Sequence, residues 1–257
     1  MLHLILSIAL AAAPPAPMVH LPAGSYQPLY GVNRNAAVAV ASFWLDREPV
    51  TQGDFLAFVG VTPSWRRSAV RPLFADARYL SSWNADLDVG TAIDLRRPVT
   101  DVSWFAAKAF CEAQGKRLPT LDEWEYAAAA SETRADAARD TDFARRLLAV
   151  YAKRSANGVL PTVGTGFPNF YGVRDLHGLA WEWTADVVEV TDPAGTSRAP
   201  GTTRAPQHMA SCASAAIGAS DPENYAAFMR YSFRSALTSR STVRTLGFRC
   251  AAGAAGR

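Results

Sequence analysis

Arg117-Leu118-Pro119-Thr120-Leu121-Asp122-Glu123-Trp124-Glu125-Tyr126-Ala127 is the stretch from which the rest of the chain can be read. Thr120 and Glu123 stand in the T-x-x-E arrangement of a capping box, in which hydroxyl and carboxylate each satisfy a backbone N–H left free where a helix starts. Pro119, directly before the cap, keeps the preceding chain from running on as helix. The pattern predicts a helix that begins after Thr120 and continues past Ala130.

Upstream, Phe43 to Arg47 reads as a strand, its aromatics suited to a pleated surface. Thr51 is placed to cap a short helix whose apolar face is Phe55, Phe58 and Val59. Residues 60–97 show no period but hold Trp65, Phe74, Tyr79 and Trp83, which predicts a packed, irregular loop. Ser103 caps a further helix, with Phe105, Ala109 and Phe110 inward and Gly115 as its stop. Downstream, Ala, Arg and Asp dominate residues 131–156, where Phe143, Leu147, Leu148 and Val150 fall on one helical face. From residue 160 onward Gly, Pro and Asn break the chain into turns and brief strands.

These segments carry a resemblance. The string from Arg117 to Ala127 resembles the signature of the formylglycine-generating enzyme family, the sulfatase-modifying-factor domain. Other blocks follow in that family's order: Phe43-Trp44-Leu45-Asp46-Arg47-Glu48-Pro49-Val50-Thr51, Pro98-Val99-Thr100-Asp101-Val102-Ser103-Trp104, and Ala109-Phe110-Cys111 with Gly115-Lys116-Arg117. Tyr171-Gly172-Val173-Arg174-Asp175-Leu176-His177-Gly178 then leads into Trp181-Glu182-Trp183-Thr184, and Leu246-Gly247-Phe248-Arg249-Cys250 closes the set. Several ordered motifs matching together are far stronger than one. The resemblance implies a single α+β domain over residues 20–252, a C-type-lectin-like fold with much irregular structure, followed by a flexible tail at 253–257. Where this family carries a Gly-rich aromatic loop and a calcium-binding turn, residues 131–156 read as helix instead.

The chain has 257 residues, enough for one large core, with 49% apolar and 19% charged residues, which excludes disorder. A net charge of +3 without a Lys/Arg block gives no nucleic-acid footprint. Residues 2–13 are apolar apart from His3 and Ser7, too short a run to span a bilayer. With Ala9-Leu10-Ala11 as an A-x-A site, residues 1–13 read as a secretory signal peptide, or alternatively as an uncleaved hydrophobic segment. Pro14, Pro15 and Pro17 make residues 14–19 a stiff lead-in. A periplasmic or secreted protein, without an integral membrane segment after cleavage, is the expectation.

Three cysteines in an exported chain invite pairing. The resemblance implies a Cys111–Cys250 disulfide. It also implies that a second family disulfide is missing at both ends, where Ala128-Ala129 and Tyr231 stand. It further implies a calcium site in the turn formed by Asp175, Gly178, Ala180 and Glu182, with two hard carboxylates of the kind Ca²⁺ takes. Leu179 replaces the Asn that normally orders this turn. The other reading makes Glu182 a hydrogen-bonding residue of a buried turn, with Trp181 and Trp183 in the core. His177, far in sequence from His20 and His208, reads as a loop histidine with a hydrogen-bonded partner rather than a metal ligand.

The family's enzymes hold Cu(I) between two cysteines spaced Cys-x₄-Cys, because soft thiolates select that ion. Here the region reads His208-Met209-Ala210-Ser211-Cys212-Ala213-Ser214, and neither way of aligning it gives a cysteine pair. Copper is not expected. Cys212 stands alone, either as a buried unreactive thiol or as the one weak catalytic candidate. Arg230 and Arg234, with Ser211 and Ser214, match positions around the family's peptide cleft. The two arginines are either ligand-binding or structural partners of an acid such as Asp221 or Glu223. Trp104 and Trp183 read as core. Two functions remain open: an exported, catalytically degenerate module that binds a peptide segment or partner protein in periplasmic maturation, or an enzyme of different chemistry rearranged around Cys212.

Overall fold

Phe43 and Leu45 point into the core, and their strand, β4 (Phe43–Asp46), is the middle of a three-stranded antiparallel sheet. The computed structural model describes residues 16–28, 36–154, 159–186 and 222–254. On one side of β4 lies β1 (Met18–Leu21), with Leu21 opposite Phe43, and on the other β7 (Ala251–Gly253), with Ala251 opposite Leu45. Ordered strand therefore enters the segment read as a lead-in and reaches the first residue read as tail, because both edges of β4 need backbone partners. β2 (Gly24–Tyr26) pairs antiparallel with β3 (Val38–Val40). β5 (Trp181–Glu182) pairs in parallel with β6 (Leu246–Gly247).

Helices fill the intervals. α1 (Gln52–Val61) opens on a complete capping box between Thr51 and Asp54. α2 (Trp104–Ala113) opens on Ser103 and is stopped at Gly115, whose φ of 68° is open to glycine at little cost. Its buried face is Ala106, Ala107, Phe110 and Cys111, one step round from the expected Phe105 and Ala109. Phe105 instead packs edge-on against Phe74, 5.3 Å between centroids, so the irregular loop claims it. That loop is packed as expected: Trp83 is buried and donates Nε1–H to Gln52, which in turn donates to the Pro98 carbonyl.

α3 (Leu121–Ala128) carries the Thr120–Glu123 capping box but ends before Ala130. Its last carbonyls are taken by tertiary donors rather than by another helical turn. Asn169 Nδ2 bonds the Ala127 carbonyl, His177 Nε2 that of Ala128, and the Ala137 amide that of Ala129. α4 (Thr141–Arg154) occupies only the second half of the segment read as helix, and α5 (Pro222–Ser235) packs against it. Among the described residues no helix is long and apolar enough to cross a membrane.

Two cores result. One gathers Phe55, Phe110 and Phe248, with Phe110 and Phe248 rings 5.3 Å apart edge to face. In it a disulfide joins Cys111 to Cys250 across 139 residues. The other gathers Leu21, Phe43, Leu45, Trp124, Tyr126 and Leu176 between the sheet and α3.

Candidate binding site

The capping box that starts α3 also sets the phase of Glu125, one turn in. Arg230 and Arg234, four residues apart on α5, share one face of that helix and close on the Glu125 carboxylate together. Arg230 donates from Nε at 3.0 Å to Oε1 and from Nη2 at 2.7 Å to Oε2, and Arg234 donates from Nη1 at 2.6 Å to Oε1. Among the described residues the acid that holds both arginines is Glu125, more than a hundred residues away in sequence, while Asp221 and the side chain of Glu223 lie outside the described structure. Burial pushes the Glu125 carboxyl up, but the charges and hydrogen bonds of Arg230 and Arg234 outweigh it and hold its pKa at about 2. Burial works against charge on Arg230, and Glu125 with Tyr151 more than restores it. Arg234 also lies over the Trp124 ring, 4.7 Å from its centroid.

Trp124 links this cluster to a second ion pair. Its Nε1–H donates to Glu182 Oε2 at 2.7 Å, and Arg249 grips the same carboxylate from Nε and Nη2, both at 2.8 Å. Both side chains of that pair are 0% exposed. Arg249 has further bonds to the carbonyls of Asp46, Arg47 and Arg174, so the buried guanidinium is well supplied with acceptors.

His177 closes the group. Its Nε2 bonds the Ala128 carbonyl at 2.9 Å, which makes Nε2 the protonated nitrogen and leaves Nδ1 to accept the Tyr151 hydroxyl at 3.1 Å. Burial, reinforced by the nearby Arg230 charge, pushes the imidazole pKa down to about 4. A neutral, doubly hydrogen-bonded ring flanked edge-on by Trp124 and Phe143 is a structural histidine.

Between α3, α4, α5 and the end of β2 lies a cavity of about 90 Å³. Glu125, Arg230 and Arg234 contribute its charge; Phe143, Leu147 and Ala227 are among its apolar walls. A second hollow of about 20 Å³ lies beyond Arg234, lined by Trp104, Asp186 and Ser239 among others. Trp183 is buried, with Nε1–H on the Val102 carbonyl, while Trp104 is half-buried and donates to the Thr184 carbonyl.

The positions implied for calcium do not fit that ion as their side chains stand. Both Glu182 oxygens already serve Arg249, so a dication there would sit beside a fully buried guanidinium. Asp175 turns inward, its Oδ1 accepting the Gly166 amide at 2.9 Å and its Oδ2 the Gly164 amide. At Gly178 a Cβ would meet Val150 Cγ1 of α4 at 2.0 Å, so the helix packs directly onto this turn. Among the described residues no three His, Cys, Asp or Glu side chains gather as a metal cluster. Ser211, Cys212 and Ser214, like the leader segment, lie outside the described residues.

Glu125 and Tyr151 are the participants that sequence reasoning passed over. The signal available was the apolar face of α4, whose Phe143 and Leu147 line the cavity with Leu121 and Ala128 of α3.

Comparison with known proteins agrees with this architecture. Residues 9–254 match the model of the sulfatase-modifying factor enzyme 1-like domain. The chain is 28% identical over 279 residues to a Bos taurus protein named inactive C-alpha-formylglycine-generating enzyme 2, covering 92% of this chain and 88% of that one. It is 27% identical over 290 residues to the Bos taurus formylglycine-generating enzyme, covering 93% and 75%. Among solved structures, Treponema denticola variable protein 1 shares the fold at a TM-score of 0.54 and 20% identity, covering 92% of this chain and 94% of that one.

Proposed function

Because the chain belongs to the sulfatase-modifying-factor family, its fold is given, and we propose that it serves as an exported binding or accessory domain without copper oxidase activity. One observation carries this reading. The chain has three cysteines, and two of them, Cys111 and Cys250, are joined to each other. One thiol, Cys212, is left. A Cu(I) site needs two soft ligands of this kind, and a serine hydroxyl at Ser211 or Ser214 neither binds Cu(I) well nor cycles through a disulfide. The likeness to a protein named inactive supports the same view.

The retained scaffold would hold an extended peptide or a partner protein in periplasmic maturation. The hollow beside Trp104, Asp186, Arg234 and Ser239 supports such a role, since it combines an aromatic face with charged and hydroxyl groups. The disulfide supports an oxidising compartment, periplasmic or secreted.

The test is an anaerobic Cu(I) titration of the purified protein, followed by oxygen consumption and fluorescence anisotropy with a labelled sulfatase-type cysteine peptide. The expected result is no stoichiometric copper binding and no turnover, with peptide bound unchanged. Tight one-to-one copper binding with oxidation of the peptide cysteine would overturn the proposal.

A further inference from the structure

The cavity between α3, α4 and α5 has a charge imbalance at its wall. Among the described residues two guanidinium groups meet one carboxylate, which leaves one positive charge over. Arg230 is 7% exposed, and its Nη1 is buried with no partner at hydrogen-bond geometry, the Tyr151 hydroxyl being its polar neighbour. Buried polar groups are normally satisfied, and a charged donor left without an acceptor is the costliest exception. Arg234 gives Glu125 a single bond, from Nη1. Among the described residues, the other charged groups near this end have partners of their own: Asp122 accepts the Tyr26 hydroxyl at 2.7 Å, Asp186 accepts the Leu121 amide, and Arg139 donates to Gln27 at 2.8 Å. The remaining wall is mostly apolar, with Phe143, Leu147 and Ala227 from the two packed helices, beside Tyr26, Gln27 and Tyr231.

Room of about 90 Å³ corresponds to roughly six to nine water-sized positions. That suits an organic acid of similar size. One surplus charge matches a monoanion better than a phosphate dianion. With the Nε and Nη2 of Arg230 on Glu125, its Nη1 together with Arg234 is what remains to meet a carboxylate, and the apolar wall gives its organic body somewhere to lie.

We propose that this cavity is a binding site for a small free monocarboxylic acid with a compact apolar body, its carboxylate seated on Arg230 and Arg234. The cavity and the hollow beside Trp104 share Arg234 and are otherwise lined by different residues, so the inference rests on the cavity's own wall.

The experiment follows the thermal unfolding midpoint of the full chain, disulfide intact, in millimolar benzoate, benzamide or inorganic phosphate. A ligand that binds only the folded state raises the midpoint with concentration. Benzoate should raise it, with benzamide at least about tenfold weaker, since the amide keeps the shape and loses the charge. Phosphate should give no comparable rise. Ala227→Leu, which fills the cavity, should remove the benzoate response, and Leu147→Trp does the same from the half-buried rim should the first variant lose cooperative unfolding. No benzoate response, equal responses to benzoate and benzamide, or an unaltered response in a cooperatively folding filled variant would overturn the proposal. So would phosphate matching benzoate. A short peptide acid ending in Phe that acts more strongly than benzoate, while its C-terminal amide does not, would replace the free acid by a chain terminus and overturn the assignment.

Discussion

Glu125→Gln removes one negative charge from between two guanidinium groups and changes the size of the side chain hardly at all. The Glu125 carboxyl, pushed up by burial but pulled down further by Arg230 and Arg234, has a pKa of about 2 in the folded protein against an ordinary 4.5. The gap, 4.5 − 2, taken at about 1.4 kcal/mol per pH unit, amounts to about 3–4 kcal/mol of stability linked to its ionisation. Removing one partner of a buried ion pair costs about 3–5 kcal/mol by an independent route, so the two figures meet. The sign follows from the direction of the shift. The folded pKa lies below the unfolded one, so the contribution is complete above about pH 5 and is lost as pH falls toward 2. Urea unfolding at neutral pH, with the disulfide oxidised in both proteins, should show the variant weaker by about 3–4 kcal/mol. Repeated between pH 5 and 2, the two stabilities should converge as the parent protonates. A loss under about 1 kcal/mol at neutral pH, or a gap that stays constant through the acid range, would refute the reasoning.

Other outcomes follow from the same geometry. His177, held by burial and Arg230 at about 4 instead of 6.5, should make folding weaken as pH drops from 6.5 to 4, by at most about 3 kcal/mol. His177→Gln should flatten that slope, and parallel pH curves for the two proteins would sink the idea. Replacing both Cys111 and Cys250 with Ala opens a loop spanning 139 residues and should cost about 5 kcal/mol in the chain-entropy model, read as a fall in the oxidised unfolding midpoint. An unchanged midpoint would contradict it. Exchanging millimolar Ca²⁺ for chelator should move the melting temperature by less than about 1 °C, because Glu182 is committed to Arg249. A rise of several degrees with Ca²⁺ would show that the turn at Asp175 rearranges to admit the ion.

What the sequence made legible was local. Thr51, Ser103 and Thr120 are caps, and a cap acts on amides within the next turn, so those helix starts could be read residue by residue. The order of motifs carried the fold, since each block survives with its neighbours. The end of α3 was not legible, because it is decided by Asn169 and His177, which reach the last-turn carbonyls from more than forty residues downstream. The phase of α2 slipped for a similar reason: Phe105 is as apolar as Phe110, and only the loop ring of Phe74 explains why it faces outward. At the site, Arg230 and Arg234 could be named but not their partner, since Glu125 meets them only after α5 has docked across α3. The calcium reading depended on Asp175 and Glu182 as oxygen donors, which sequence shows, and on what those oxygens already hold, which it does not.

One short stretch deserves a view along the time axis of synthesis. Residues 246–253 give β5 its parallel neighbour and β4 its second edge, and they carry Arg249 and Cys250. Lys116 and the Cys250 amide meet on Asp46, so even that buried carboxylate waits for the same segment. A nascent chain lacking these eight positions would hold Glu182 without its countercharge and the strand Phe43–Asp46 with one side open. The second edge of β4, the Glu182–Arg249 pair and the disulfide can therefore all be in place only after residue 253 has been made. In that sense the segment 246–253 acts as a latch on the rest of the described fold.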